Sequence, residues 1–158
     1  MKLFKKLSIM AIVLGACLTL AGCGQKNLEG NLTDLMSELY AGANIKEGDI
    51  MGLANTEIND ENLAYYLGVE SLDYKEAVAS ESMVGSIAHS VVLVRMNEGA
   101  DIEKAKKEIK ENVDPRKWIC VGVEKEDVIV ENRGNLIILI MVEDENTRSK
   151  IEEGFNNL

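Results

Sequence analysis

The chain has 158 residues, of which 17 are basic and 27 acidic, for a formal net charge of −10 at neutral pH. This balance argues against nucleic-acid binding, which needs Lys and Arg to neutralise phosphates, and against electrostatic adsorption to an anionic lipid surface. One histidine and three cysteines are a poor supply of zinc ligands and cannot form a dense disulfide framework.

The first 22 residues have the composition of an export signal. Lys2, Lys5 and Lys6 precede an apolar run that extends from Leu7 to Leu20 and ends in small residues. A basic start, an apolar stretch and small residues at its end are the parts of a secretory signal. The run is shorter than the ~20 apolar residues that a membrane-spanning helix needs. The sequence therefore predicts an exported protein.

The signal ends in Leu20, Ala21 and Gly22, and Cys23 follows directly. This segment resembles the lipobox of bacterial lipoproteins. The resemblance implies a diacylglyceryl thioether on Cys23, cleavage after Gly22 and a place on the outer face of the bacterial cytoplasmic membrane. An ordinary signal peptide with a chance cysteine, or an uncleaved anchor, are the alternatives.

Cleavage at this point gives three parts: a signal peptide (1–22), the lipidated cysteine with a short tether (23–30) and one domain (31–158). The signal carries three of the basic residues and no acid, so the mature chain has 14 basic and 27 acidic residues and a charge of −13. Two acyl chains suffice for stable anchoring. The tether spans ~25 Å at most when extended, so we expect the domain to lie close to the bilayer.

The apolar spacing predicts two helices at the start of the domain. The first covers 31–42 with Asn31 as its N-cap, and the second covers 60–67 and ends at Gly68. Residues 47–52 are predicted to be a loop.

Two strands are predicted next. Residues 75–81 are expected to pair as an edge strand, and the uninterrupted β-prone run at 87–96 predicts a strand covered on both faces. A helix begins after Asp101 and ends before Pro115, and its charged face favours an ion pair between Glu103 and Lys107.

Three further strands are predicted at 118–123, 128–130 and 136–142, with a hairpin turn at Gly134, and a helix at 146–156 closes the chain. Strands that are apolar on both faces need helices on both sides. The predicted fold class is α+β: a single compact domain with a mainly antiparallel or mixed sheet flanked by helices.

No constellation for catalysis is visible. The single histidine, His89, shares a strand face with Val91 and Leu93 and is interpreted as a structural residue in apolar packing. The chain lacks the Gly-x-Ser-x-Gly and Ser-x-x-Lys motifs of serine enzymes. Cys120 is predicted to be a buried small hydrophobe, with a reactive thiol as the alternative. The sequence thus disfavours an enzyme, and it predicts no metal site and no cofactor beyond the lipid on Cys23.

Aromatic residues are few, and two positions are candidates for a ligand contact. Tyr65 and Tyr66 are adjacent on a helix and cannot both face the core. Trp118 follows Arg116 and Lys117 and is interpreted as a core anchor where helix meets sheet. A ligand contact at Trp118 is the alternative.

Three segments, 81–95, 111–121 and 134–141, together resemble a family of small lipoproteins from Gram-positive bacteria that is classed as a domain of unknown function. The similarity extends from about Leu32 to the C-terminus, and the run Asp-Pro-Arg-Lys-Trp at 114–118 is its most distinctive part. The resemblance implies a lipoprotein and carries over no activity, cofactor or catalytic residue.

Three functions remain open from the sequence. The first is a membrane-tethered, non-catalytic domain that binds an envelope protein, with a contact surface at Asp114, Arg116, Lys117, Trp118 and His89. The second is an accessory small-solute or metal-binding lipoprotein of a transporter. The third, a small exported hydrolase, is disfavoured by the residue inventory. The expected partners are the bilayer, through Cys23, and an envelope protein; nucleic acid is not expected.

Overall fold

The computed structural model describes residues 27–158, which form one α+β domain with a five-stranded sheet. The predicted lipobox (Leu20, Ala21, Gly22) and Cys23 lie outside the described residues. The elements in chain order are α1 (Leu32–Gly42), β1 (Leu53–Glu57), α2 (Leu63–Leu67), β2 (Tyr74–Ser82), β3 (His89–Met96), α3 (Ile102–Asn112), β4 (Ile129–Arg133), β5 (Leu136–Val142) and α4 (Glu145–Asn157).

The sheet has the strand order β1-β2-β3-β5-β4, and all neighbouring strands are antiparallel. Every residue of β3 and β5 is buried, because helices cover both faces of the sheet. Residues of α1 and α4, such as Leu39 and Phe155, fill one core layer. Residues of α2 and α3, such as Leu67 and Ile109, fill the other. The predicted fold class is confirmed.

Local signals in the sequence set the ends of several elements. The side chain of Asn31 accepts a hydrogen bond from Thr33 N, and that of Asp101 accepts one from Lys104 N, so both act as the predicted N-caps. Gly134 has φ 56° at the turn between β4 and β5. Gly68 ends α2 with φ 72°, and a Cβ at this position would overlap the carbonyl carbon of Asn112, so glycine lets α2 approach the end of α3.

Two strand predictions were wrong. Residues 75–81 do not form an edge strand, because β1 pairs along the outer side of β2. The short, half-exposed β1 was not predicted, since its sequence Leu-Ala-Asn-Thr-Glu lacks an apolar pattern. Residues 118–123 form no strand; Cys120 adopts the left-handed conformation at φ 64°, which interrupts extended backbone.

Two side-chain predictions were also wrong. Cys120 is exposed rather than buried, because the loop that replaces the expected strand turns its backbone outward. On α3, Glu103 pairs with Lys106 at 2.9 Å instead of with Lys107. Lys107 lies 3.9 Å from Glu111, a weak pairing on a solvated helix face.

Candidate functional site: the loop end of the sheet

Three loops meet at one end of the sheet, which we call the loop end: the turn 49–52 before β1, the connection 83–88 between β2 and β3, and the loop 114–123 after α3. The amide of Met83 donates to the carbonyl of Gly52 at 2.9 Å, and that of Ile119 donates to Gly85 at 2.7 Å. Backbone hydrogen bonds thus tie the three loops to one another.

The loop end exposes large apolar side chains. Met51, Met83 and Ile119 are 67%, 72% and 70% exposed, and Tyr65 on the neighbouring α2 is 52% exposed. Among residues 27–158 these four are the exposed large hydrophobic side chains. Single exposed apolar residues are ordinary, but their collection on one set of linked loops is typical of an interaction site.

An ion pair lies buried directly beneath this surface. Lys117 Nζ is 2.7 Å from Glu81 Oε2, and the two side chains are only 5% and 7% exposed. The hydroxyls of Ser90 and Tyr65 donate to the same carboxylate at 3.2 and 3.1 Å. Glu81 therefore accepts three side-chain hydrogen bonds, which offset much of the cost of burying its charge.

Aromatic rings surround the buried ammonium group. Lys117 Nζ lies 4.2 Å from the ring centroid of Tyr65, 4.8 Å from that of Tyr66 and 5.3 Å from that of Trp118. Burial lowers the pKa of Lys117, while its hydrogen bond to Glu81 opposes this. Burial and the charge of Glu81 raise the pKa of Tyr65 to about 12. The cluster holds the loop 114–123, and with it Ile119, against the sheet.

This cluster is not arranged for nucleophilic catalysis. The hydroxyl of Ser90 and the ammonium of Lys117 both donate to Glu81 Oε2, so the lysine is engaged as a cation rather than placed as a base for the serine. Ser90 is also fully buried. A substrate therefore has no access to it.

On the opposite face of the sheet, His89 is 3% exposed and its Nε2 lies 2.9 Å from the hydroxyl of Tyr40. Burial lowers the pKa of His89 to about 4, so the ring is neutral at pH 7 and shares a hydrogen bond with the tyrosine hydroxyl. The structural interpretation of His89 is confirmed. A cleft of about 370 Å³ lies beside it, with Met51, Ile87, Glu143 and Asp144 among its lining residues.

The residues of the predicted contact surface are only partly brought together. Asp114, Arg116, Lys117 and Trp118 share one loop, but His89 is buried on the other face of the sheet and adds nothing to that surface. Lys117 is buried as well. Arg116 is exposed and pairs with Glu124, whereas Trp118 is half-buried against the α2–α3 core layer, as its interpretation as a core anchor requires.

The main residues of the exposed surface were missed from the sequence. Met51 follows Ile50 and Met83 precedes Val84, in short segments that show no helix or strand period. Ile119 was assigned to a strand. The adjacent tyrosines did give a signal, because one of the two was expected to be exposed; Tyr65 is exposed and Tyr66 is buried.

Comparisons with protein-family models, with curated proteins and with solved structures found no match to this chain. The resemblance to a small-lipoprotein family therefore stays a prediction. Within residues 27–158, no helix is both long and apolar enough to cross a membrane. The same residues contain no group of three or more His, Cys, Asp or Glu side chains placed to hold a metal ion.

Proposed function

We propose that this protein is a membrane-anchored extracytoplasmic lipoprotein, held by lipid on Cys23, whose domain binds another protein of the cell envelope through the loop end. The observation that carries the proposal is the exposure of Met51, Met83 and Ile119 on three loops, of which the middle one, 83–88, is hydrogen-bonded to the other two. Exposed apolar side chains that are gathered in this way lose water on contact with a partner, which favours association.

The arrangement of polar groups supports binding over catalysis. A solute site or a hydrolase would gather its cations and carboxylates in one accessible cavity. Here His89 is buried beside Tyr40, Arg95 pairs with Glu76 at the opposite end of the sheet, and Arg116 pairs with Glu124 in solvent. These three groups lie apart and each has a partner of its own. A cavity at the tether end does bring Lys75 and Arg95 near Glu29 and Glu98, but its arginine is engaged by Glu76.

The anchoring part of the proposal is tested by the substitution Cys23→Ser, with Cys17→Ser as a matched control inside the signal. Membrane and soluble fractions are compared by immunoblotting. We expect Cys23→Ser to release the protein or to leave its precursor unprocessed, and Cys17→Ser to behave as the unsubstituted protein does. Normal processing and full membrane retention of Cys23→Ser would disprove the lipid anchor.

The binding part is tested by chemical crosslinking of intact cells that carry the triple variant Met51→Ser, Met83→Ser, Ile119→Ser. The unsubstituted protein is expected to give a discrete adduct with a second protein, and the variant to lose it. The control is Lys107→Ser on the solvated face of α3, which should keep the adduct. Because all three loop-end residues are exposed, each substitution should change the free energy of unfolding by no more than ~0.5 kcal/mol. An adduct that survives the triple substitution would refute binding through the loop end.

A further inference from the structure

We infer that the loop end points away from the membrane and docks a protein segment in which an apolar side chain is flanked by Lys or Arg. The inference rests on the proposed lipoprotein anchor and specifies the chemistry of the partner. Three observations carry it: the place where the tether enters the domain, the charges that surround the loop end, and the cleft beside Met51.

The tether enters at the end of the sheet opposite the loop end, which we call the tether end. Asn27 Oδ1 accepts a hydrogen bond from Asn135 N at 3.1 Å, and the carbonyl of Leu28 accepts one from Arg95 at 3.1 Å. Only four residue steps separate Cys23 from Asn27, which span at most ~14 Å. The tether end is therefore held next to the bilayer.

The length of the sheet separates the loop end from the bilayer. His89 begins β3 at the loop end and Met96 ends it at the tether end, and seven steps of extended chain span ~23 Å. With the tether end close to the lipid, Met83 and Ile119 face away from it. This orientation favours a protein as the occupant of the exposed apolar surface over the membrane that anchors the domain.

The charge around the loop end selects a basic partner. Asp49, Glu143, Asp144 and Glu145 are exposed, and within residues 27–158 none of them forms an ion pair with a basic side chain. Asp49 and Asp144 do accept backbone hydrogen bonds, the latter as the N-cap of α4, but these leave their negative charge without a cationic side chain. The two cations of the loop 114–118 are both neutralised, Arg116 by Glu124 and Lys117 by Glu81. Unpaired carboxylates beside apolar side chains attract Lys or Arg and repel an acidic surface.

The cleft of about 370 Å³ beside Met51 can hold the apolar side chain of the partner segment. Its walls include Ile50, Met51 and Ile87, and its rim includes Asp49, Glu143 and Asp144. An apolar side chain inserted between the walls would carry its flanking cations to the carboxylates. The same few residues would then supply both burial and charge complementarity, as the centres and rims of protein interfaces do.

The test is site-specific photocrosslinking in living cells with the full-length, anchored protein. A photoreactive amino acid replaces Met83, or Glu98 at the tether end as the control, and the crosslinked peptides are mapped by mass spectrometry. We expect position 83 to capture a protein segment with Lys or Arg beside an apolar residue. The double substitution Glu143→Lys, Asp144→Asn removes the negative charge of both residues and keeps an N-cap on α4. It should reduce the yield at position 83 at least tenfold, and Glu103→Lys on α3 should leave it unchanged.

The outcomes separate this inference from the proposed function. Capture of an acidic or uncharged segment, with a yield that the double substitution does not change, would overturn the basic partner and leave binding through the loop end intact. Capture of lipid at position 83 would overturn the inferred orientation of the domain. Capture of a second copy of this chain would overturn the inference that the partner is a different protein. Absence of any protein adduct at position 83 would overturn both the inference and the proposed function.

Discussion

The two ends of the sheet differ in the side chains that they expose. At the loop end the interior holds Glu81, Lys117 and His89, while Met51 and Met83 are exposed. The tether end also buries a charged residue, Arg95, which pairs with Glu76. Its last strand residue, Met96, is buried, however, and the turn 97–99 that follows is exposed and polar. The tether end thus exposes polar residues, whereas the loop end exposes apolar ones.

The loop end shows how a small domain can expose apolar side chains without losing its fold. Apolar residues on loops tend to collapse onto the core unless the backbone is held. The ion pair between Lys117 and Glu81 and the hydrogen bond between Ile119 and Gly85 hold it here. The buried polar groups and the exposed apolar groups are therefore parts of one arrangement.

The substitution Lys117→Met should have the largest effect on stability, because it leaves the carboxylate of Glu81 buried without its cation. Removing one partner of a buried ion pair costs ~3–5 kcal/mol, measured by urea unfolding. Arg116→Met, which removes the exposed pair with Glu124, is the matched control and should cost no more than ~1 kcal/mol.

The double variant Glu81→Leu, Lys117→Met should recover part of that loss, since it removes both charges together. Equal stabilities for Lys117→Met and Arg116→Met would mean that the buried pair does not hold the loop, and the contrast between the two ends would lose its physical basis.

A smaller effect is expected from the titration of His89. Burial lowers its pKa from the ordinary 6.5 to about 4, so the unfolded chain binds a proton at a higher pH than the folded domain does. The resulting stabilisation is fully present above pH 6.5 and is lost as the pH falls toward 4, by about 3 kcal/mol in total. Unfolding free energies between pH 7 and 4 measure it.

The matched control for this titration is His89→Gln, which keeps a polar group beside Tyr40 and cannot be protonated. The carboxylates titrate alike in both proteins, so the difference between the two pH profiles isolates the histidine. Parallel profiles would show that His89 has an ordinary pKa and is not buried as described.

The smallest effect is expected at the tether end. Asn27→Ala removes the hydrogen bond to the amide of Asn135 and should cost ~1 kcal/mol, the usual contribution of one such bond. Hydrogen exchange at Asn135 should accelerate while exchange along β3 stays slow. Unchanged exchange at Asn135 would show that the tether is not fixed to the sheet, and the orientation of the domain would no longer follow.

The sequence predicted the elements whose signals are local. The caps Asn31 and Asp101, the turn at Gly134 and the continuous apolar run of β5 depend on residues adjacent in the chain. The fold class could be predicted from the same signals, because strands that are apolar on both faces require helices on both sides of the sheet.

The candidate site could not be predicted in the same way. The pair between Glu81 and Lys117 joins residues 36 positions apart, and nothing near either residue indicates the other. β1 is paired along one side only and has no apolar alternation, so its pairing with β2 decides its structure. The exposure of Ile119 depends on the left-handed backbone at Cys120, a conformation that this residue type does not favour.

The most direct test of the account is the distance of each end of the sheet from the bilayer. A fluorophore is placed on Met83→Cys or Glu98→Cys, each in a Cys120→Ser background, and the lipidated protein is reconstituted in vesicles that carry an acceptor in their headgroups. The account predicts strong energy transfer from position 98 and weaker transfer from position 83, in keeping with ends ~23 Å apart. Equal transfer from the two positions, or stronger transfer from position 83, would contradict the assignment of one end to the membrane and the other to a partner.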